Sequence, residues 1–254
     1  MSINGGHLIG KYLAKRGIQF AYGISGGHIE ALLDGLQQYG IRSIDVRHEQ
    51  AAVMMAHATA IYTGTPGVCF LTAGPGFTNG ITGIANACLD NAPVVVLCGR
   101  HPLRDDHKGA LQEMNQVDVV KPLVKWCATC YDTKRIPEYL DMAFRHATGG
   151  RPGPVFLELP PDILGKAVDE FDFTPSVDEF KAVPDSSSLY KAAEIINSAK
   201  KPLFIGGSGI GYSNCTLELQ AFIEKTGIPF ILLNNGRGVL PDNHPLSIWN
   251  TGNV

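Results

Sequence analysis

Short apolar runs alternate with stretches of helical periodicity along most of the chain, and this alternation restricts the fold more than any other feature. Leu8, Ile9, Tyr12 and Leu13 repeat at helical spacing, and Gly17 ends that helix before the apolar run IQFAYG. In GGHIEALLDGLQQYG, Ile29, Leu32, Leu33 and Leu36 follow the i, i+3, i+4, i+7 rule, with Gly40 as the terminator. The pattern continues with predicted strands at 41–46, 68–72 and 94–98 and predicted helices at 49–62 and 77–89. A polar passage, 101–116, reads as a loop, and a strand at 125–131, a helix at 136–148 and a strand at 154–159 follow it. Strand and helix taking turns imply an α/β fold with a parallel sheet covered on both faces.

At 254 residues the chain exceeds one such domain. A first domain is expected at 1–165, an acidic, proline-bearing linker at 166–188, and a second α/β pattern at 189–254. The second pattern shows a helix, the strand PLFIGG, a helix at 216–225 and the strand PFILLN. Two strands cannot make a buried parallel sheet, so this part is expected to be the truncated start of a Rossmann-like domain. A formal net charge of −3 and a pI near 6.2 provide no basic field for nucleic acid or an anionic membrane. No apolar stretch reaches the roughly 20 residues that span a bilayer, and MSINGGHLIG lacks the features of a secretion signal. A soluble, cytoplasmic chain acting on a small molecule is the expectation.

Most of the six cysteines sit in apolar runs such as GVCFLT and VVVLCG, which is core usage. Cys127 and Cys130 form a CxxC, but on a strand positions three apart face opposite ways, and no second CxxC completes a metal cage. They read as structural, and no metal ligands are expected in this chain. GGSGIG at 206–211 follows a strand, yet its glycines are spaced GxGxG rather than GxGxxG, and Asn234 and Asn235 stand where a ribose-binding acid would. A tight turn explains it better than a dinucleotide. GISGGH, RHEQ and TAGPGFTNG each lie between a predicted strand and a predicted helix, so they converge on the carboxyl edge of the sheet, where α/β proteins build sites. Taken alone, Glu49 of RHEQ is no more than a helix-start carboxylate, worth about 0.3–1 kcal/mol with the helix dipole.

GGHIEALL, RHEQAAVMMA, TAGPGFTNGITGIANA, GALQEMNQVDVVKPLVKW and GRPGPVFLELPPDIL, in this order, resemble the pyrimidine-binding domain of thiamine diphosphate enzymes of the acetolactate synthase superfamily. The likeness spans about residues 4–165, and the stretch from Leu189, with RGVLPDNHPL, resembles the start of that superfamily's central domain. The GGH and the GALQ…NQ passage look closer to acetolactate synthase-like 2-hydroxyacyl-CoA lyases than to biosynthetic acetolactate synthase. The resemblance implies that Glu49 is the catalytic carboxylate, bonded to the aminopyrimidine ring. A carboxylate on a ring nitrogen favours the imino form of the exocyclic amine, a base for the thiazolium proton. It further implies that Gly26, Gly27 and His28 line the cofactor cleft and that Pro75, Thr78 and Asn79 pack beside the pyrimidine. Gln112 matches a glutamine facing the substrate. Leu111 stands where acetolactate synthases carry phenylalanine, and His28 where they carry a small residue, so both are expected to bear on substrate choice, away from pyruvate.

The implied activity is a thiamine diphosphate-dependent carbon–carbon lyase or ligase for a 2-hydroxyacyl-CoA or 2-oxo acid. An acetolactate synthase large subunit-like enzyme is one alternative, and an inactive fragment that only binds a partner chain is another. The magnesium ion and the diphosphate are expected on a C-terminal domain whose GDG-to-NN type motif does not occur in these residues, so this chain alone is expected to be inactive. A homodimer or homotetramer is implied for the complete form, and FAD stays open as a ligand of the central domain.

Overall fold

The computed structural model describes residues 2–176 and 183–248. Residues 177–182 of the expected linker and 249–254 of the expected central domain lie outside them. The chain divides into two compact units, 1–180 and 181–254.

The first unit runs β1 (Ser2–Ile3), α1 (Gly5–Lys15), β2 (Phe20–Gly23), α2 (Glu30–Gln38), β3 (Arg42–Asp45), α3 (Glu49–Thr63), β4 (Gly67–Leu71), α4 (Pro75–Leu89), β5 (Val94–Gly99), α5 (Gln116–Val120), β6 (Trp126–Thr129), α6 (Ile136–Thr148), β7 (Val155–Leu159), α7 (Pro161–Leu164) and β8 (Val168–Asp169). Six strands form one parallel sheet in the order β3-β2-β4-β5-β7-β6. The parallel α/β architecture expected from the alternation is the one found. Successive strand residues divide between two cores. Val68, Phe70, Val95, Leu97, Val155 and Leu157 face α1, α2 and α6, where they meet Leu8, Tyr12, Leu36 and Phe144. Cys69, Leu71, Val94, Val96 and Phe156 face α3 and α4, meeting Val53, Phe77 and Ile84. Each large apolar side chain buried this way contributes about 1.5–3 kcal/mol.

The boundaries differ from expectation in two informative places. Helix α4 starts at Pro75 rather than 77, because proline's fixed φ suits the first helical position, where its missing N–H costs nothing. Part of the expected linker belongs to the first unit. β8 pairs antiparallel with β1, and Phe171 and Phe173 pack against the first core. Burial of those aromatic rings outweighs the acidic composition that made the segment look solvated.

The second unit holds α8 (Ser186–Ser198), β9 (Phe204–Gly206), α9 (Gly209–Ser213), α10 (Thr216–Thr226) and β10 (Phe230–Leu232). β9 and β10 pair in parallel over a small core of Leu219, Ile223, Phe230, Leu232 and Leu240. Among the described residues no helix is long and apolar enough to cross a membrane.

The cysteines of the CxxC do face apart. Cys130 lies in the first core, whereas Cys127 packs against the second, and both are free thiols. Burial pushes the Cys130 thiol up to about 11, which leaves about one part in a thousand as thiolate at pH 8. Alkylation followed by mass spectrometry should leave Cys130 unmodified in the native chain at pH 8 and modify it in denaturant. Helices α1 and α2 meet backbone to backbone at Gly6 and Gly35, where a Cβ on Gly35 would overlap the Gly6 carbonyl oxygen. Gly35→Ala should therefore cost about 1–3 kcal/mol in urea unfolding, as overpacked cores do.

Candidate active site

The sheet's connections reverse direction at β2: β3 lies on one side of it and β4 on the other. At such a switch the loops leaving neighbouring strands part, and a crevice opens at the carboxyl edge. The loops of GISGGH and TAGPGFTNG enter from its two sides. They approach so closely that a Cβ at Gly26 would overlap Thr72 Oγ1. His28 Nδ1 lies 3.4 Å from Thr72 Oγ1.

The third strand delivers Glu49. Arg47 points to solvent beside Asp45, and His48 is the N-cap of α3, its Nδ1 accepting from the Gln50 amide at 3.2 Å. With the capping role taken by His48, the Glu49 carboxylate turns inward and is only 8% exposed. Asn79 Nδ2 donates to Glu49 Oε2 at 3.0 Å. The other oxygen, Oε1, faces the first turn of α4, 3.4 Å from where a Cβ on Gly76 would stand. A side chain at 76 would collide with Thr72, whose Cγ2 lies 2.5 Å from that position.

Gly74, with φ 62° and ψ −114°, is in a conformation that side chains disfavour, and it lies against Gln112, whose Cβ would stand 2.8 Å from a Cβ at 74. Gln112 itself has φ 60°, and its Oε1 is buried without a hydrogen-bond partner. The crevice therefore brings together Gly26, His28, Glu49, Asn79 and Gln112 from the expected set. Gly27 sits exposed on the loop after β2 and Pro75 and Thr78 on the first turn of α4, with Thr78 Oγ1 turned back onto the Pro75 carbonyl at 3.2 Å. Leu111 is 77% exposed.

Sequence reasoning missed what holds the loop over 101–116 in place. His101, Asp106 and Glu113 present ligand atoms within 4.8 Å of one another. The group does not suit a cation, because a guanidinium already lies on its Asp106 carboxylate. Arg100 Nη2 reaches Asp106 Oδ1 at 2.6 Å, and His101 Nε2 lies 2.5 Å from the same oxygen. Glu113 accepts the His107 amide at 2.6 Å and the Ala110 amide at 2.9 Å. Behind this brace Glu158, 2% exposed on β7, accepts from Gln116 and Thr129. An acid inside the apolar run VFLEL was the signal that could have revealed it.

Residues 3–119 match the N-terminal TPP binding domain of thiamine pyrophosphate enzymes, and residues 189–254 match the central domain of the same enzymes. The chain belongs to the thiamine pyrophosphate enzyme family. Similar relatives include a 2-hydroxyacyl-CoA lyase of Arabidopsis thaliana, 34% identical over 254 residues that cover 97% of this chain and 44% of that protein. An acetolactate synthase large subunit of Buchnera aphidicola (subsp. Schizaphis graminum) is 37% identical over 253 residues, 97% of this chain and 44% of that protein. The oxalyl-CoA decarboxylase of Escherichia coli K12 is 32% identical over 251 residues, 96% and 44% respectively. The chain thus spans less than half the length of these relatives.

The crevice suits the aminopyrimidine end of thiamine diphosphate. Its glycines let the two loops approach Thr72 and Gln112 closely, and two acceptors on its wall, the Glu49 oxygen that faces Gly76 and the buried, unpartnered Gln112 Oε1, match a ring that carries N–H donors.

The backbone amides of His107 and Ala110 hold the Glu113 carboxyl below its ordinary value of 4.5. A lowered folded value means that this brace is fully present above pH 4.5 and is lost as pH falls through the folded value. An NMR titration of those two amides should give a midpoint below 4.5; a midpoint at or above it contradicts the brace.

Proposed function

We propose that this chain supplies the pyrimidine side of a thiamine diphosphate site in an enzyme that makes or breaks a carbon–carbon bond beside a carbonyl. The observation that carries the proposal is the buried Glu49 carboxylate, held by Asn79 through one oxygen while the other faces Gly76 at the topological switch. When bound, the cofactor supplies a nucleophilic carbon and an electron sink. Glu49 would hold or share a proton at Oε1 with a ring nitrogen, Asn79 would keep the carboxylate from turning, and the β4–α4 loop would exclude water from the ring. Gly26, Gly27, His28, Pro75, Thr78 and Asn79 are the cofactor-facing set, and His28, Leu111 and Gln112 the substrate-facing set. We assign the diphosphate and its magnesium ion to a separate domain of the complete enzyme, and a homodimer or homotetramer to its assembly. The six free thiols fit a reducing cytoplasm.

The proposed substrate class is a 2-hydroxyacyl-CoA or a 2-oxo acid. His28 beside Thr72 narrows the crevice mouth where a small residue would open it, which favours the acyl-CoA reading over condensation of two pyruvates. Full-length protein should cleave a 2-hydroxyacyl-CoA faster than it forms acetolactate from pyruvate; the reverse order selects the synthase alternative. Glu49→Gln in the same protein should reduce turnover about 10²–10⁴-fold with an unchanged far-ultraviolet circular dichroism spectrum. Wild-type turnover in that variant would remove the basis of the assignment.

A further inference from the structure

Gln116 opens α5 and is 1% exposed, yet it belongs to neither the cofactor-facing nor the substrate-facing set. Its side-chain amide ties the turn after β4 to β5 and β7. Oε1 accepts the Gly74 backbone amide at 2.9 Å. Nε2 donates to the Gly99 carbonyl at the end of β5 at 3.0 Å, and to Glu158 Oε1 on β7 at 2.8 Å. Glu158 is fixed in turn by Thr129 Oγ1 at 2.6 Å and by Arg100 Nε at 3.6 Å. Every polar atom of the Gln116 side chain is thus engaged and rigidly supported from the sheet.

We propose that Gln116 is a positioning residue for the crevice, acting through the Gly74 amide; the proposal rests on the thiamine diphosphate reading of the site. Gly74 is the N-cap of α4, and its unusual backbone conformation sets the direction in which the helix leaves the sheet. The first turn of that helix carries Gly76 and Asn79, which meet the two oxygens of Glu49. The same glycine packs on Gln112. One hydrogen bond therefore locates both the donor that orients Glu49 and the glutamine with the unpartnered carbonyl. Without it, the Gly74 amide is left buried and unsatisfied, and the turn must move to find another acceptor.

A core glutamine with no such role would affect stability alone, so the test compares two losses of one buried hydrogen-bonding group. Thr133 is buried and donates to the Ile163 carbonyl at 2.8 Å on the other face of the sheet. Thr133→Val and Gln116→Leu should both lower the melting temperature. In the full-length protein, titrated calorimetrically with thiamine diphosphate and magnesium, Gln116→Leu should bind about tenfold or more weakly while Thr133→Val binds as wild type. Equal affinities in the two variants overturn the proposal. Should Gln116→Leu fail to fold, Gln116→Glu keeps the acceptor for Gly74 and sets a carboxyl against Glu158. Two carboxyls so close share a proton at low pH and repel once both ionise. Its affinity should approach wild type in acid and fall as pH rises, relative to wild type at each pH; an unchanged ratio overturns the proposal. NMR of the unliganded protein separates this question from the cofactor. The Gly74 amide and Asn79 side-chain signals should shift together in the Gln116 variant that folds. If wild type binds no thiamine diphosphate, the cofactor reading fails, and an unmoved Asn79 signal still overturns the positioning role.

Discussion

The hydrogen bond from Asn79 to Glu49 is the contact around which the crevice is arranged. A carboxylate that is 8% exposed is costly unless partners replace its water. Two partners are evident: the asparagine amide, and the start of α3, whose N-terminal dipole favours negative charge. The obvious local use for an acid at that position, capping the helix, is taken by His48. Glu49 is thereby left with an oxygen facing a glycine. A fold selected for stability alone gains little from that arrangement, whereas a site that must bond to a ring nitrogen depends on it.

The sheet explains why Asn79 is available. Glu49 follows β3 and Asn79 follows β4, and these strands are separated by β2, the strand at which the connections reverse. The helices that start after β3 and β4 both cover the same face and pack on one another through Val53 and Gly83. Their first turns are brought together at the carboxyl edge, while the loop after β2 closes the other side. Behind this, Glu158, Gln116, Gly74 and Gln112 form a chain of contacts from the sheet interior to the crevice. Support from a strand is stiffer than support from a loop, and this is where a site needs its stiffness.

Periodicity identified the first unit's sheet strands and covering helices because the two cores are nearly pure: alternate residues of β4, β5 and β7 enter opposite clusters. It erred where two half-buried rings outweigh composition, as at Phe171 and Phe173 in a segment otherwise acidic. Glu49 could be singled out only through the family resemblance, since by itself it reads as an ordinary helix start. The bond from Asn79 was not legible because the two residues are 30 apart in sequence. Gln116 lies inside the GALQEMNQ stretch, yet nothing in that stretch marks it for a role. Its three partners come from three different strands' ends, a convergence that no local pattern encodes. The exposure of Leu111 was equally hidden, because the apolar residue sits in a braced loop whose bonds are all formed by its polar neighbours.

The decisive measurement is a crystal structure of the full-length protein with thiamine diphosphate and magnesium. The expected result is an aminopyrimidine ring in the crevice between β2 and β4, with a ring nitrogen within hydrogen-bond distance of Glu49 and with Asn79 still on the same carboxylate. Ordered cofactor whose ring lies elsewhere, leaving Glu49 bonded to Asn79 alone, would contradict it.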